Sequence, residues 1–501
     1  MSDDLLFLSI DDTRATINRG EVTPAALLAA HLDAIARHNP TLNAFLTVTP
    51  ERAEADLAAA RPDAPLGAIP FAVKDNIDTA GIRTTAASRL LADNVPARDA
   101  AVVTALGAAG GVLLGKLNTY EFGTGSGAVY DDLAVPVARN PFDPSRFSGG
   151  STTGGGVAVA AGLAKFAIGT DTGGSVRLPA AACGIVGLKP TLGRIATAGM
   201  QPNCPSLDHV GPLARSVADT RRVFAALCRD GGTGGGAERL RVGVLRRFHE
   251  RDVPCEDDIA RGFEDCVAAL TDAGLTPIEI DLTHGVLDFR ACSRVLNVGE
   301  CYSIHRRTFE EDRERIGAAL RDKLIAGSMI SADAYIRALR WRRALAAEVD
   351  ALFHDCEIVL SMGTPMVAPP LSDVDRVIAF TGQSAMAVYN VSGHPALVLS
   401  PGLDRNGMPL NIQLAAGYGR EALLLDVAER LEAVLGTTPR PDPRRYGDGG
   451  ALKITEPLTH AESVAVQTKA NEAAIARMPA YFPSHEAAYP LGTLPIDGTP
   501  A

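Results

Sequence analysis

The chain has 501 residues, 46% of them hydrophobic, and a formal net charge of −11 at pH 7. This length predicts one large domain or two ordinary ones, with enough apolar material for a sizeable core. The negative charge argues against a nucleic-acid-binding protein, because such a protein would present a basic face to the phosphate backbone.

The cysteines and the apolar runs bear on the cellular compartment. The eight cysteines are scattered and form no Cys-x-x-Cys pair, so the sequence predicts neither a disulfide framework nor a zinc site. Residues 1–12 are acidic and lack the basic start of a secretory signal, and no apolar run reaches transmembrane length. We therefore expect a cytoplasmic protein that binds neither a membrane nor a metal ion.

The first half of the chain predicts helices followed by short buried strands. Thr23 and Pro24 are typical of a helix start, and residues 25–38 carry apolar residues at helical spacing. Four apolar runs of strand length follow, at 67–74, 111–114, 166–169 and 184–188. A helix is predicted between the first two, over 100–109, and a loop rich in glycine and serine, 171–177, separates the last two.

The second half alternates in the same way. After a glycine-rich connector at 231–236, strands are predicted at 241–245, 357–361 and 396–399, and helices at 257–273, 421–435 and 460–478. Residues 286–355 are mostly helical and contain the only tryptophan, Trp341. Strands that alternate with helices predict the α/β class, with a mixed and largely buried sheet.

Two segments rich in glycine and serine, 148–156 and 169–177, stand out as candidates for chemistry. Hydrolysis of an amide needs a nucleophile, a base and N–H donors for the oxyanion. Glycines beside a serine let backbone N–H groups converge, because no Cβ blocks a tight turn. An isolated Gly-Gly-Ser is usually only a loop, but two such segments separated by a helix-length apolar run favour a site.

Three common motifs do not fit these segments. The first has the glycine spacing of a phosphate-binding loop, but Gly155 stands where that loop needs lysine. Ser175 is followed two positions later by Arg177, whereas the α/β-hydrolase motif G-x-S-x-G needs glycine there. The chain also contains no Ser-x-x-Lys, which disfavours the β-lactamase arrangement.

Lys74 is a further candidate, since it is one of only seven lysines and ends an apolar run of strand length. A lysine in a dry site can lose its proton near neutral pH and act as a base. A solvated lysine at a strand end is the alternative, and this residue taken alone favours that alternative.

Five motifs together closely resemble the amidase signature family, and they occur in the family's order. They are PFAVKDNI at 70–77, GGST at 149–152, GTDTGGSVRLP at 169–179, CGIVGLKPT at 183–191 and SLDHVGP at 206–212. The resemblance extends over residues 20–435. It implies a single large α/β/α domain with a mixed, twisted central sheet over residues 1–440, with a variable helical substrate-pocket segment at 286–355. The remaining residues, 441–501, differ in composition and are predicted to form a partly helical C-terminal extension.

The resemblance also implies a catalytic triad of two serines and a lysine. Ser175 matches the nucleophile that carries the acyl group, Ser151 the bridging serine beside a cis peptide bond, and Lys74 the lysine that accepts the proton through Ser151. The chain departs from the family pattern directly after Ser151, where it has Thr152 and Thr153. That departure leaves the geometry of the cis peptide open.

The same resemblance implies which groups contact the substrate. The backbone N–H groups of the loop that ends at Ser175 match the oxyanion hole, which gives Thr172, Gly173 and Gly174 as binding residues. Gly125, in the glycine-rich loop at 123–127, matches a substrate-contacting position. No metal and no cofactor are implied.

The expected activity is hydrolysis of a C–N bond in a small amide or carbamate. Segments 71–78, 140–144 and 158–173 resemble allophanate hydrolases, which act on a urea-derived carboxylate. The other alternative is the amidotransferase A subunit of a tRNA-dependent complex, which would need partner subunits and a glutamine site. We expect a small-molecule substrate and no nucleic acid, and we leave a homodimer open.

The remaining polar and aromatic candidates have structural interpretations. Asp171 and Arg177 are predicted to form an ion pair that braces the loop. His209 and His394 suggest a Ser-His-Asp triad, but isolated histidines are usually structural. Within the variable helical segment, Tyr302 and Arg306 are predicted to lie on an exposed helix face, although Tyr302 and Trp341 could also form an apolar pocket wall.

Overall fold

A mixed sheet of 11 strands crosses the computed structural model, which describes residues 4–124, 127–228, 240–446 and 458–480. The strands are β1 (Phe45–Val48), β2 (Pro70–Lys74), β3 (Val112–Leu117), β4 (Phe166–Asp171), β5 (Val186–Lys189), β6 (His209–Ala214), β7 (Leu240–Leu245), β8 (Leu275–Glu279), β9 (Ile358–Met362), β10 (Ala396–Leu399) and β11 (Ile412–Ala416). Their order in the sheet is β1-β3-β2-β4-β6-β5-β10-β11-β9-β7-β8.

Helices surround this sheet. Within the described ranges the α-helices are α1 (Asp4–Phe7), α2 (Ile10–Asn18), α3 (Pro24–Leu42), α4 (Pro50–Ala59), α5 (Ala101–Ala108), α6 (Thr153–Ala160), α7 (Arg177–Cys183), α8 (Val217–Leu227), α9 (Asp257–Asp272), α10 (Val286–Glu311), α11 (Ala318–Ser328), α12 (Ala332–Leu352), α13 (Val374–Gly382), α14 (Met386–Ser392), α15 (Glu421–Leu435) and α16 (His460–Arg477). None of these helices combines the length and the hydropathy needed to cross a membrane.

The sheet is parallel in two places and antiparallel elsewhere, which confirms the predicted mixed α/β fold. β2 runs parallel to β3 and β4, and β7 runs parallel to β8 and β9. The other neighbouring strands pair antiparallel. Parallel strands need helices on both faces of a sheet, because their crossover connections lie there.

The core lies on both faces of the sheet. Every residue of β2 and β4 is buried. Phe71 stacks on Phe166, with ring centroids 5.2 Å apart, in the apolar cluster on one face. Ala72 and Ala167 belong to the cluster on the opposite face. This alternation follows from the two-residue period of a strand, and it fixes the register of the two strands that lead to the candidate site.

The C-terminal helix packs against the variable helical segment. α16 contacts α10 and α11, and Asn471 Nδ2 of α16 donates to the Ala326 carbonyl of α11 at 2.8 Å. The helix predicted at 460–478 is therefore present and rests on the main body of the chain. The predicted helical segment at 286–355 is divided into α10, α11 and α12.

Candidate active site

Lys74 is fully buried at the carboxyl end of β2. Its Nζ donates to Ser151 Oγ at 2.8 Å and to Thr170 Oγ1 at 2.8 Å. Burial lowers the pKa of Lys74 to about 7, against the opposing charges of Asp171 and Asp208. A lysine with this pKa is substantially neutral at physiological pH and can accept a proton.

Ser151 lies two residues before the start of α6, and the peptide bond between Gly150 and Ser151 is cis. Its side chain is buried against the Lys74 amino group. Gly123 packs over the pair with φ at +69°, and a methyl group there would lie 3.4 Å from both Lys74 Nζ and Ser151 Oγ. Because it has no side chain, Gly123 can pack closely against these two polar atoms.

Asp171 organises the loop between β4 and α7. Arg177 Nε donates to Asp171 Oδ2 and Arg177 Nη2 donates to Asp171 Oδ1, each at 3.0 Å, and both side chains are fully buried. Asn390 Nδ2 donates to the same Oδ1 at 2.8 Å. The predicted structural ion pair is therefore present, and it fixes both ends of the loop that carries Ser175.

One N–H group that the sequence predicts as an oxyanion donor is already bonded within this loop. The Gly174 N–H donates to Asp171 Oδ1 at 2.8 Å. Gly174 has φ at +117°, and any larger residue would bring its Cβ to 2.7 Å from Met386 Cβ. The tight turn at Gly174 thus faces the Asp171 carboxylate, and its N–H is not directed at the cavity.

Ser175 is partly exposed and lies on a cavity of about 640 Å³. Ser151, Thr172 and Gly173 line the same cavity. The Thr152 N–H donates to the Ser175 carbonyl at 3.1 Å, which ties the two serine-bearing segments together. The structure therefore brings Ser175 and Ser151 onto one wall, with Lys74 buried behind Ser151.

The Thr172 side chain is hydrogen-bonded to an acidic neighbour, Asp208. Thr172 Oγ1 donates to Asp208 Oδ1 at 2.6 Å. Asp208 Oδ2 accepts the backbone N–H groups of Asn203 at 2.9 Å and Cys204 at 3.0 Å. This network anchors the loop at Thr172. Burial raises the pKa of Asp208, against the hydrogen bond from Thr172 and the two backbone donors.

Two site residues were missed by the sequence analysis. Thr170 accepts the second hydrogen bond of Lys74, and Asn76 Nδ2 donates to the same Thr170 Oγ1 at 3.2 Å. Both occur inside the motifs PFAVKDNI and GTDTGGSVRLP. The sequence could have indicated them, because each is a polar residue at or just after the end of a buried apolar run.

Gly125, the remaining predicted binding residue, lies outside the described residues. Gly123 and Thr124 beside it line the cavity.

The predicted apolar wall of Tyr302 and Trp341 is wrong. Trp341 of α12 is 1% exposed and belongs to the core cluster between α10, α12 and α14. Tyr302 packs edge-on against Phe309, with centroids 6.1 Å apart. Arg306 is exposed, as predicted, and pairs with Glu310 at 2.9 Å. The cavity wall comes instead from other residues of α10 and α11 and from α16.

The two histidines considered for a Ser-His-Asp triad have structural partners. His209 Nδ1 is 2.7 Å from the Leu207 carbonyl and 3.2 Å from that of Asp171. His394 Nε2 is 3.1 Å from Asp350 Oδ1, and its ring stacks on Tyr418 at 3.8 Å. Across the described residues, no three or more His, Cys, Asp and Glu side chains are grouped as a metal site requires.

Among curated proteins, this chain is similar to the A subunits of amidotransferases. The glutamyl-tRNA(Gln) amidotransferase A subunit of Thermus thermophilus is 34% identical to this chain over 458 residues. That alignment covers 84% of this chain and 96% of the relative.

Solved structures with this fold include hydrolases of small molecules and peptides. The 6-aminohexanoate cyclic dimer hydrolase, solved with its substrate, matches with a TM-score of 0.77 and 26% identity over 86% of this chain and 98% of that chain. The native peptide amidase of Stenotrophomonas maltophilia matches with a TM-score of 0.73 and 29% identity over 87% and 98%. The family model described as Amidase matches residues 26–425. This chain therefore belongs to the amidase family, the enzymes that carry the amidase signature.

Proposed function

We propose that the chain hydrolyses a C–N bond of a small amide or carbamate through an acyl-enzyme on Ser175. The observation that carries this proposal is the buried Lys74, which has a pKa of about 7 and donates to Ser151 Oγ at 2.8 Å. Ser151 and Ser175 line one cavity, so a substrate carbonyl can reach the nucleophile while Lys74 stays dry. A dry lysine and a bridging hydroxyl supply the base that a serine nucleophile needs.

The proposed reaction moves one proton out and back. Ser175 Oγ attacks the carbonyl carbon, its proton passes to Ser151, and the Ser151 proton passes to neutral Lys74. The relay then returns a proton to the leaving nitrogen as the C–N bond breaks and the amine departs. Water attacks the remaining ester in the same way, and the relay's proton returns to Ser175 as the carboxylic acid leaves.

The oxyanion formed in both steps needs N–H donors directed at the cavity. Gly174 gives its N–H to Asp171. We therefore assign the oxyanion contacts to the backbone N–H groups of Thr172, Gly173 and Ser175, with Gly174 shaping the turn. Asp171 supports this arrangement, because it holds the loop through Arg177 and Asn390.

The first test is covalent labelling. A fluorophosphonate should add once to the wild type, and the labelled peptide should contain Ser175. Ser175→Ala should lose both the label and turnover. Ser293→Ala removes another serine that lines the same cavity, and this variant should keep the label. Labelling that persists in Ser175→Ala would overturn the assignment.

A second candidate is the glutaminase function of an amidotransferase A subunit. The curated relatives favour it, since the protein of that name from Thermus thermophilus is 34% identical to this chain. The proposed chemistry at Ser175 would be unchanged, with glutamine as the amide and partner subunits as the acceptors of ammonia. The structural similarity to 6-aminohexanoate cyclic dimer hydrolase, with a TM-score of 0.77, supports the free-standing hydrolase, while a solved amidotransferase A subunit from Thermotoga maritima matches with a TM-score of 0.71.

A single-protein assay separates the two candidates. The purified chain is offered an anilide, a phenyl carbamate and glutamine, with and without added amidotransferase partner subunits and tRNA. Turnover of the anilide or carbamate by the chain alone supports the hydrolase. Turnover of glutamine only, increased by the partner subunits, supports the amidotransferase function.

We also propose the domain boundary at residue 440, with residues 441–501 as an extension of the catalytic domain. The family match ends at residue 425, and α15 ends at Leu435. α16 follows this boundary and packs on α10 and α11. In this proposal the extension completes the wall of the substrate cavity.

A further inference from the structure

The cavity beside Ser175 is rich in positive charge, although the chain as a whole carries a net charge of −11. Its lining includes four cationic side chains and a single carboxylate among the described residues. The cations are Arg290, Arg294, Lys323 and Arg477, and the carboxylate is Asp322. A cationic cavity in an acidic protein indicates a ligand of negative charge.

Most of these charged groups already have partners. Asp322 accepts the hydroxyl groups of Tyr130 at 3.0 Å and Ser463 at 2.5 Å. Arg477 pairs with Asp288 at 3.2 Å, and Lys323 donates to the side-chain oxygen of Asn203. The Asp322 carboxylate is therefore satisfied by neutral donors and pairs with no arginine among the described residues.

Arg294 is fixed in place by uncharged groups of α16. Its Nη2 donates to Gln467 Oε1 at 2.7 Å and its Nε donates to Asn471 Oδ1 at 3.1 Å. Amide oxygens orient a guanidinium group without neutralising it. Arg294 thus keeps its full positive charge next to the cavity.

Arg290 lies one helical turn before Arg294 and also faces the cavity. Within the described part of the chain, its guanidinium group has no hydrogen-bond acceptor and no carboxylate partner. Burial, with the neighbouring Arg294 charge, lowers the pKa of Arg290 to about 10. Arg290 is half-buried, and a cation partly removed from water without an anion beside it is unfavourable, so a ligand that supplies the anion would stabilise it.

We infer that Arg290 binds a carboxylate of the substrate, with Arg294 held beside it as a second positive charge. The substrate is then an amide or carbamate that carries a carboxylate in addition to its scissile bond. A guanidinium group matches the two oxygens of a carboxylate with parallel hydrogen bonds, which gives orientation as well as affinity. This inference rests on the proposed function, because it requires the scissile carbonyl to be at Ser175 in the same cavity.

The competing explanation is that Arg290 is simply hydrated within an open cavity. Water in about 640 Å³ could satisfy its N–H groups. Hydration predicts only a small preference for the charged over the neutral substrate of the same shape, from the overall charge of the cavity, whereas a carboxylate site predicts a large one. The two explanations therefore differ in a measurable quantity.

The experiment uses substrate pairs that differ only in charge. One pair is the mono-4-nitroanilide of glutaric acid and the analogue in which a methyl ketone replaces the carboxylate. The second places the charge on the amine side, as 4-(benzoylamino)butanoate and its methyl ketone. For at least one pair, we expect the wild-type kcat/KM to favour the acid by roughly ten- to hundredfold, the usual effect of hydrogen bonds to a charged group.

Variants test whether Arg290 causes this preference. Arg290→Gln should bring the acid-to-ketone ratio close to one, and Arg290→Lys should restore part of it. Arg307→Gln is the matched control, since Arg307 lies on the same helix, is exposed and pairs with Glu311 at 3.0 Å. That control should keep the wild-type ratio. Circular dichroism and the melting temperature show whether each variant is folded.

A binding measurement separates failure of this inference from failure of the proposed function. Calorimetry with glutarate on Ser175→Ala should show binding that Arg290→Gln weakens at least about tenfold in the double variant. Turnover that persists in Ser175→Ala defeats the proposed function. Ser175-dependent turnover without an acid preference in either pair, or glutarate binding that ignores Arg290, defeats the carboxylate site alone.

Discussion

Lys74 and Ser151 are 77 residues apart in the chain, and Nζ of the lysine lies 2.8 Å from Oγ of the serine. The other partner of Lys74 is the Thr170 hydroxyl, so neither of its direct partners is a carboxylate. Lys116 offers a contrast, since it is equally buried but has Asp75 Oδ1 at 3.6 Å. Burial lowers the pKa of Lys74 to about 7 and that of Lys116 to about 8. Because its direct partners are hydroxyl groups, Lys74 is better suited to act as a neutral base than to remain a permanent cation.

The first prediction concerns the pH dependence of hydrolysis. Because only neutral Lys74 can accept a proton, kcat/KM should rise with pH and level off above about 7, the pKa of Lys74. At one unit below that pKa the rate should be about tenfold below the plateau. Lys74→Ala should lower the plateau by roughly 10²–10⁴-fold. Initial rates between pH 5 and 9 measure both effects.

Lys165→Met serves as the control for this profile. Lys165 is also buried, and burial lowers its pKa to about 7. Its Nζ donates to the carbonyls of Leu5 and Leu8, each at 2.8 Å, away from the site. A folded Lys165→Met enzyme should keep the wild-type midpoint. If Lys74→Ala retained most of its rate at neutral pH, the relay would have to be abandoned.

The second prediction is that Lys74 destabilises the fold. Since its pKa is about 7 when folded and 10.5 as the ordinary value, the unfolded chain binds the extra proton between these pH values. The contribution of Lys74 to the free energy of unfolding therefore becomes less unfavourable as the pH rises through that window. Below pH 7 the folded protein carries the buried charge, and the destabilisation is greatest. Lys74→Met should raise the free energy of unfolding at pH 7 by about 1–3 kcal/mol after the lost hydrogen bonds. In urea unfolding, the difference in the free energy of unfolding between Lys74→Met and the wild type should decrease toward pH 10.

The third prediction concerns Thr170 as a positioning residue. Thr170→Val keeps the shape of the side chain but removes the acceptor of Lys74 and Asn76. We expect kcat to fall by about tenfold or more, and the pH midpoint to move lower, because the Lys74 cation loses a hydrogen bond. Thr170→Ser should restore both values. An unchanged midpoint in Thr170→Val would show that the hydroxyl only fills space.

The fourth prediction concerns the ion pair beneath the Ser175 loop. Although burial alone would raise the pKa of Asp171, the Arg177 charge and its hydrogen bonds hold that pKa well below its usual range. Arg177→Met leaves a buried carboxylate without its cation, which should cost about 3–5 kcal/mol in urea unfolding. Arg221→Met removes a partly exposed pair with Asp426 and Glu429, and this control should cost at most about 1 kcal/mol.

The fold was predictable where local pattern and tertiary role agree. β10 and α15 have the bounds predicted from their apolar runs, 396–399 and 421–435. β6 was missed because Gly211 and Pro212 are typical of a turn, yet both lie within this central strand. β8 contains Pro277 and lies at the edge of the sheet, where a missing N–H is tolerated.

The candidate site was predictable to the extent that its residues belong to motifs. Lys74, Ser151 and Ser175 could be selected because the glycine-rich segments and the strand-end lysine resemble the family, and their catalytic roles stay predictions. Arg290 could not be predicted as a binding residue, because in the sequence it looks like any arginine on a solvent-exposed helix face. Only the packing of α10 against α16 places it on the cavity. The prediction that Trp341 lines the pocket was wrong for the same reason. A large aromatic residue fits a core as well as a pocket wall, and only the helix packing shows that Trp341 faces the core.

α16 is not part of the sheet, and it contacts the cavity wall partly through Gln467 and Asn471, which both accept hydrogen bonds from Arg294 of α10. It also follows residue 425, where the family match ends. In the proposed function, the groups that contact the substrate therefore lie partly outside the sheet, because α10, α11 and α16 line the cavity whereas Lys74 lies at the end of β2. We expect that replacing α16 while leaving the sheet intact changes the substrate range and leaves the proposed relay in place.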